Sequence, residues 1–299
     1  MARCDNLQVT TEDQPLDVLL KLLDIERLED TLFRGLSPDT SVQRVFGGQV
    51  AGQALVAGGR TVDPERRVHS LHAYFLHAGD PAVPLIYSVD VTRDTRTMST
   101  RRVTATQHGR AVFVLTASFM LPEDGVHHQD PMPPAPDPET LPTWEERWAP
   151  LVGKFPNRRR QPRPIDLRYV DDPWPIAAAK GESGGRDPSS QVWFRAAGDL
   201  PDDPLLHVCV LAYASDMTLL DSVLLPHGID FSDGNVFIAS LDHAMWFHSD
   251  FRADGWLLYD QHSPWAGGAR GLGTGGIYTQ DGRRICSVVQ EGLVRHRRS

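Results

Sequence analysis

Cysteine is scarce. The 299 residues hold three, at Cys4, Cys209 and Cys286. They are widely spaced, form no CxxC pair and permit no disulfide framework, a usage expected of the reducing cytoplasm. Long hydrophobic runs are also missing. The longest, Ala111 to Leu121, is interrupted by Thr116 and Ser118 and is too short to span a bilayer, so membrane insertion is not expected. Met1-Ala2-Arg3-Cys4-Asp5 carries no apolar h-region, so no signal peptide is expected. The closing Arg297-Arg298-Ser299 is not a peroxisomal address. Positive charge is not in excess: the formal net charge is −9, which argues against nucleic-acid binding by charge. Local basic clusters do exist, at Arg101-Arg102, Arg158-Arg159-Arg160 and Arg295 to Arg298. They read first as solvated surface and second as attraction for a phosphorylated carrier.

Several chemistry-bearing motifs are absent too. The glycine-rich run from Val45 to Arg60 has neither the GxxxxGK[ST] nor the GxGxxG spacing, which removes phosphate cradling by those motifs there. No HExxH spacing suggests a metal site. No Asp-x-Asn-x-x-His pattern is found, which weakens a hydratase reading. No cofactor or metal is expected.

What is present is a globular composition, 40% hydrophobic and 23% charged, of a length that suits two ordinary domains or one large one. Leu16 to Leu28 has near-helical apolar spacing, and Asp30 to Leu36 reads as a strand. Val45 to Arg60 is almost entirely small or apolar and reads as a buried helix. Glycine in a helix costs roughly 1 kcal/mol relative to alanine. Gly48 and Gly52 therefore need a reason, such as close approach of another backbone. Strand-like runs follow at Val68–His77, Leu85–Arg93, Met98–Gln107 and Arg110–Leu121, the last two joined by a His108-Gly109 hairpin turn. This order of one buried helix and several antiparallel strands is an α+β pattern.

Between Pro122 and Pro164 stand 11 of the chain's 23 prolines, so regular structure cannot run through the segment. The expected division is an N-terminal unit over 1–121, a proline-rich linker over 122–164 and a C-terminal unit over 165–299. Trp144 and Trp148, four apart, suggest one short docked helix in the linker. The C-terminal unit restarts the pattern. Strands are expected at Ile165–Val170 and Gln191–Ala196, and a second long helix at Asp203–Leu220. Further strands are expected at Asn235–His248, Gly255–Gln261, Ala269–Thr279 and Arg284–Val294.

The two halves echo each other in detail. Ser70-Leu71-His72-Ala73 resembles Ser240-Leu241-Asp242-His243-Ala244, with His72 and His243 171 residues apart. Gln107-His108-Gly109-Arg110 resembles Gln280-Asp281-Gly282-Arg283, 173 apart. A duplicated helix-plus-sheet unit explains the order. In the hairpin alignment Ala117 matches Gln290, and Ser70 stands at the place of Ser240. Polar groups thus collect in the second half where the first has apolar or small ones.

Taken singly, these polar residues have ordinary explanations. Asp216 after Ser215 could be a helix cap. Ser240 could bond to nearby backbone, as strand serines commonly do. Gln290 could face solvent on an edge strand. His72, His243 and His248 read as structural or interfacial. Asp242 and His243 are neighbours on a strand and point to opposite faces, which argues against a dyad. Trp246, Phe247 and Trp256 read as core or as the wall of an acyl tunnel.

Taken together, the motifs resemble a known family. They are Val45-Phe46-Gly47-Gly48-Gln49, Ser70-Leu71-His72-Ala73-Tyr74-Phe75-Leu76, Ala214-Ser215-Asp216, Ser240 to His248 and Val289-Gln290-Glu291-Gly292. They look like the type II acyl-CoA thioesterases, the bacterial TesB enzymes and their peroxisomal relatives, over nearly the whole chain from about Leu16 to Arg295. The linker is the least family-like part. The resemblance implies a double hotdog fold, two long helices each wrapped by an antiparallel sheet. It implies hydrolysis of acyl-CoA to a fatty acid and CoA, with Asp216, Ser240 and Gln290 as the catalytic residues. Bacterial members often carry Thr at the middle position, so Ser240 keeps the hydroxyl and loses a methyl. Asp216 would act as base on a water held also by Ser240 and Gln290. An unperturbed Asp, at about 3.9, is weak for this task, so burial should raise its basicity. Homodimers or homotetramers are expected by analogy. The competing reading is a non-catalytic acyl-CoA-binding or sensing module on the same fold.

Overall fold

The structure is a computed structural model, which describes residues 14–38, 44–151, 163–229 and 236–296. The basic triplet Arg158-Arg159-Arg160, Cys4, and Arg297 and Arg298 lie outside them.

In the first half, helix α1 (Pro15–Leu23) starts on a proline at its first turn and buries Leu16, Leu19, Leu22 and Leu23. Burying each such side chain contributes roughly 1.5–3 kcal/mol. The helix is shorter than its apolar spacing suggested. It ends at the Asp24 cap, and Ile25 is buried outside it, so the periodicity past Leu23 belongs to strand β1 (Glu26–Glu29). Strand β2 (Leu32–Gly35) follows. Helix α2 (Gly47–Gly59) is buried on all sides from Gly48 to Gly58. Its fully buried Gln53 donates to Leu22 O (2.7 Å) and Leu36 O (3.0 Å) and accepts from Tyr87 Oη (2.7 Å). Strands β3 (Arg67–Phe75), β4 (Leu85–Asp94), β5 (Met98–Gln107) and β6 (Arg110–Met120) complete this half.

The segment between the halves contains the short helix α3 (Trp144–Trp148), held by a capping box in which Thr143 and Glu146 bond each other's backbone. The proline-rich chain before it lies along the second half. Gln129 accepts from Arg284 N (2.9 Å) and donates to Gly282 O (2.8 Å), and Trp193 Nε1 donates to Pro136 O (2.9 Å).

The second half has β7 (Ile165–Tyr169), α4 (Trp174–Ala179), β8 (Ser189–Ala196) and α5 (Pro204–Ser215). Then come α6 (Asp221–Leu224), β9 (Val236–Ser240), β10 (Asp242–Phe247), β11 (Leu257–Gly267), β12 (Arg270–Thr279) and β13 (Arg284–His296). Two expected elements differ: the long helix ends at Ser215, short of the expected Leu220, and the strand around Ser240 breaks at Leu241.

One antiparallel sheet contains all the strands described. Its order is β1-β2-β4-β5-β6-β3-β10-β13-β12-β11-β8-β7, with β9 paired to β13 off this path. The order is a palindrome about the β3–β10 pair: β3 corresponds to β10, β6 to β13, β5 to β12 and β4 to β11. Each half wraps its sheet around one long helix, and α2 and α5 pack against each other at the centre. This is the double hotdog. The two helices run antiparallel, since Gly48 approaches Tyr213, Gly52 approaches Cys209 and Gly59 approaches Leu205.

The register corrects the internal alignment. Leu71 pairs with Ala117, and His72 with Thr116. In the second half Ala244 pairs with Val289, so one step back places His243 beside Gln290. The counterpart of Leu71 is therefore His243, and that of His72 is Ala244. The His72–His243 echo is out of step by one residue, and a one-residue slip moves a side chain to the other face. His72 is indeed exposed, while Leu71 and His243 are fully buried. The same correction applies to Ser240. It pairs with Gly292, and the corresponding first-half pair is Val68 with Phe119, so its counterpart is Val68 and not Ser70. Both halves carry an irregularity there, between Val68 and Ser70 in one and at Leu241 in the other.

Candidate active site

Three side chains distant in sequence meet where α5 ends. Asp216 is the C-cap of α5. Ser240 is the last residue of β9, just before the break at Leu241. Gln290 lies in the middle of β13, fully buried. Gln290 Nε2 donates to Asp216 Oδ1 (2.6 Å) and to Ser240 Oγ (2.8 Å), so both amide hydrogens are engaged. Asp216 and Ser240 line a cavity of about 1140 Å³, and Gln290 stands behind them.

The first turn of α2 reaches the same point. A backbone N–H of Gly48 bonds the Asp216 carboxylate. The approach requires glycine at two consecutive positions. A Cβ at Gly47 would lie 2.6 Å from Asp216 Oδ2, and one at Gly48 would lie 2.3 Å from Tyr213 O. The small residues that opened α2 in the sequence thus allow one helix start to touch the end of the other.

Burial pushes the Asp216 carboxyl up to about 6, and the bonds from Gln290, Gly48 and Ser240 hold it from rising further. Removing the surrounding water penalises the charged form. The group therefore remains ionised at neutral pH yet is a far better proton acceptor than an exposed aspartate.

His243 lies on the same buried face as Gln290. Its Nε2 is 2.8 Å from Ser215 Oγ, and Ser215 Oγ is 3.1 Å from Ala212 O. Burial lowers His243 to about 4, partly offset by Gln290, so the ring is neutral. Asp242 turns the other way and accepts from Glu291 N (2.7 Å), as expected of strand neighbours. His248 contacts Ser287 Oγ (2.8 Å) away from the site.

The cavity's far wall was not foreseen. Trp144 and Trp148 of α3, stacked 5.5 Å apart, line it together with Tyr169, Trp174, Leu220 and Leu224. Of the three aromatics read from sequence as core or tunnel wall, none lines this cavity, and two take the core alternative. Trp246 is partly exposed and meets His72 edge-on at 5.1 Å. Trp256 packs with Trp193, Leu258 and Tyr278 under the linker, and Phe247 joins the main core. Trp246 and Phe247 are neighbours on β10 and point to opposite faces, and Trp256 precedes β11. Among the described residues, no group of three or more His, Cys, Asp or Glu is placed to hold a metal ion. No helix among them is long and apolar enough to cross a membrane.

Comparison with known proteins finds matches to both halves of the chain. The model of the acyl-CoA thioesterase family matches residues 170–293, and that of the acyl-CoA thioesterase N-terminal domain matches 36–120. The chain is 41% identical to human acyl-coenzyme A thioesterase 8 over 92% of its own length and 88% of that protein's. The chain belongs to the TesB-like acyl-CoA thioesterase family. It is also 37% identical to acyl-CoA thioesterase 2 of Haemophilus influenzae, over 94% of this chain and 98% of that one. Among solved structures, acyl-CoA thioesterase II TesB2 from Mycobacterium marinum superposes with a TM-score of 0.76. It is 46% identical and covers 93% of this chain and 98% of its own. The similarity in sequence and in fold thus runs over nearly the whole chain.

Proposed function

We propose that the protein hydrolyses fatty acyl-CoA to a free fatty acid and CoA by direct attack of water. The observation that carries this reading is the single Gln290 amide nitrogen bonded to both Asp216 and Ser240 at the wall of a large cavity. Asp216 and Ser240 face the cavity and hold the attacking water between carboxylate and hydroxyl. Gln290 holds those two side chains in mutual register.

In the reaction Asp216 takes one proton from the water as its oxygen bonds to the thioester carbon. The carbonyl electrons move onto oxygen, giving a tetrahedral intermediate. The intermediate collapses by breaking the C–S bond, and the departing thiolate takes the proton back from Asp216. Products are the carboxylic acid and the CoA thiol. The first-turn amides of α2 have no side-chain cap and border the same cavity at Gly47. Helix N-terminal N–H groups stabilise developing negative charge, and we assign them the oxyanion.

Thiol release from a series of acyl-CoAs, for the enzyme and Asp216→Asn, tests the proposal. Turnover by the enzyme and its loss in the variant are expected. Tight acyl-CoA binding with no turnover by the enzyme would favour the sensing module. We further propose a cytoplasmic homodimer or homotetramer, in keeping with Cys209 and Cys286 as buried free thiols. Light scattering of the purified chain checks the assembly.

A further inference from the structure

Gln290 can perform its bridging role in only one of its two amide orientations. With Nε2 toward Asp216 and Ser240, two acceptors receive two N–H bonds. Inverted, Oε1 would face the Asp216 carboxylate, acceptor against acceptor. A planar amide has nearly the same shape in both orientations, so packing alone does not choose between them. A donor on the far side of the amide does.

The far side holds a buried imidazole. The register of β10 and β13 places His243 and Gln290 side by side on the core face. Opposed side chains of an antiparallel pair have Cβ atoms roughly 4.5–5.5 Å apart. Both residues are fully buried, and in each one polar atom, His243 Nδ1 and Gln290 Oε1, has no hydrogen-bond partner in the structure. Buried polar atoms without partners cost about 1–3 kcal/mol each. These two are complementary if Nδ1 carries the hydrogen. The other ring nitrogen fits that tautomer: the single Ser215 hydroxyl hydrogen has Ala212 O at 3.1 Å and His243 Nε2 at 2.8 Å, and donated to the nearer Nε2 it leaves the ring hydrogen on Nδ1. The sister copy has Leu71 and Ala117 at this pair, so packing does not demand polar groups there.

We propose that His243 is a positioning residue. Its Nδ1–H donates to Gln290 Oε1 and commits both Gln290 N–H bonds to Asp216 and Ser240. Ser215 holds the tautomer from behind, closing a loop that returns through the chain to its neighbour Asp216. This inference rests on the site reading given above.

The test compares His243→Leu, which restores the sister copy's residue, with His243→Asn, whose amide nitrogen can take the place of Nδ1. Asp216→Asn and Gln290→Ala are assayed beside them. For His243→Leu, kcat is expected to fall roughly 10- to 100-fold with KM within about twofold. The acid limb of kcat moves to higher pH, because Asp216 loses a committed donor. His243→Asn recovers most of the rate and returns the limb toward its original place. Should His243→Leu not fold, Ser215→Ala carries the test, with an upward shift of the limb and a rate loss of roughly threefold or more. An unchanged limb and rate in His243→Leu, or in Ser215→Ala where that variant is needed, overturns the proposal. So does an Asn variant no better than Leu. If Asp216→Asn and Gln290→Ala lose activity in that case, the site reading stands and only the role of His243 falls. If those two remain active, the site reading itself fails.

Discussion

Gln290 Nε2 lies 2.6 Å from Asp216 Oδ1, joining the middle of a strand to the end of a helix 74 residues away in sequence. In the sister copy the position of Gln290 is held by Ala117, against Leu71. A duplicated fold has therefore kept one half as plain core and placed a buried polar pair, His243 and Gln290, in the other.

Activity should depend on ionised Asp216. The base must be deprotonated, so the rate should rise with pH and reach half its plateau near the Asp216 value of about 6. A pH profile of kcat checks this. A plateau extending down to the ordinary aspartate range would remove Asp216 as base.

Asp216→Asn should separate function from stability. The rate should fall by about 10²–10⁴-fold, the usual contribution of a general base. Stability at neutral pH should rise. The folded carboxyl titrates at about 6 against an ordinary 3.8, so between those values the folded state binds more protons than the unfolded one. Stability then declines as pH rises through that window, by roughly 2–3 kcal/mol, and the neutral amide escapes the loss. Urea unfolding at two pH values tests the sign.

His243 acts in the opposite sense. Its folded value of about 4 lies below the ordinary 6.5, so the unfolded state binds the extra proton. Its contribution to stability is intact above about 6.5 and drains away as pH falls toward 4. Against the wild type, His243→Leu should flatten the acid side of the stability curve, as read by thermal melts.

Gln290→Ala should lose roughly two orders of magnitude in rate, since two bonds that align the water-binding groups vanish. Far-ultraviolet circular dichroism should be unchanged, because Ala117 already fills the equivalent place against a sheet of the same register. Loss of the fold would show that Gln290 is structural.

Gly48→Ala should destabilise by about 1–3 kcal/mol, although alanine favours helix by about 1 kcal/mol. The new Cβ would meet the backbone oxygen of Tyr213 at 2.3 Å, and the helices would have to part. A lower thermal midpoint, together with a displaced acid limb of kcat, would confirm that the helix contact positions Asp216.

Much of this was legible in one dimension. Alternation located β5 and β6, and the His108-Gly109 turn joined them, because strand period and hairpin turns are local. The glycine-rich run announced a backbone contact but not its partner. The repeat was visible, yet matching His72 to His243 set it one residue out of step. Matching Ser70 to Ser240 set it two residues out, because identical letters outweigh the strand pairing that only the sheet records. That slip made Ser240 look ordinary beside Ser70 and hid His243 behind His72, although the corrected comparison with Val68 and Leu71 marks both positions.

The sequence by itself determined the family, the α+β character and the three side chains that converge, because these are carried by residue types in a fixed order. The tertiary structure decided which neighbours those side chains have. Burial raises Asp216, the palindromic sheet sets His243 beside Gln290, and docking of α3 supplies two tryptophans to the cavity wall. Each of these depends on contacts between segments far apart in the chain, where no local periodicity or spacing records the distance.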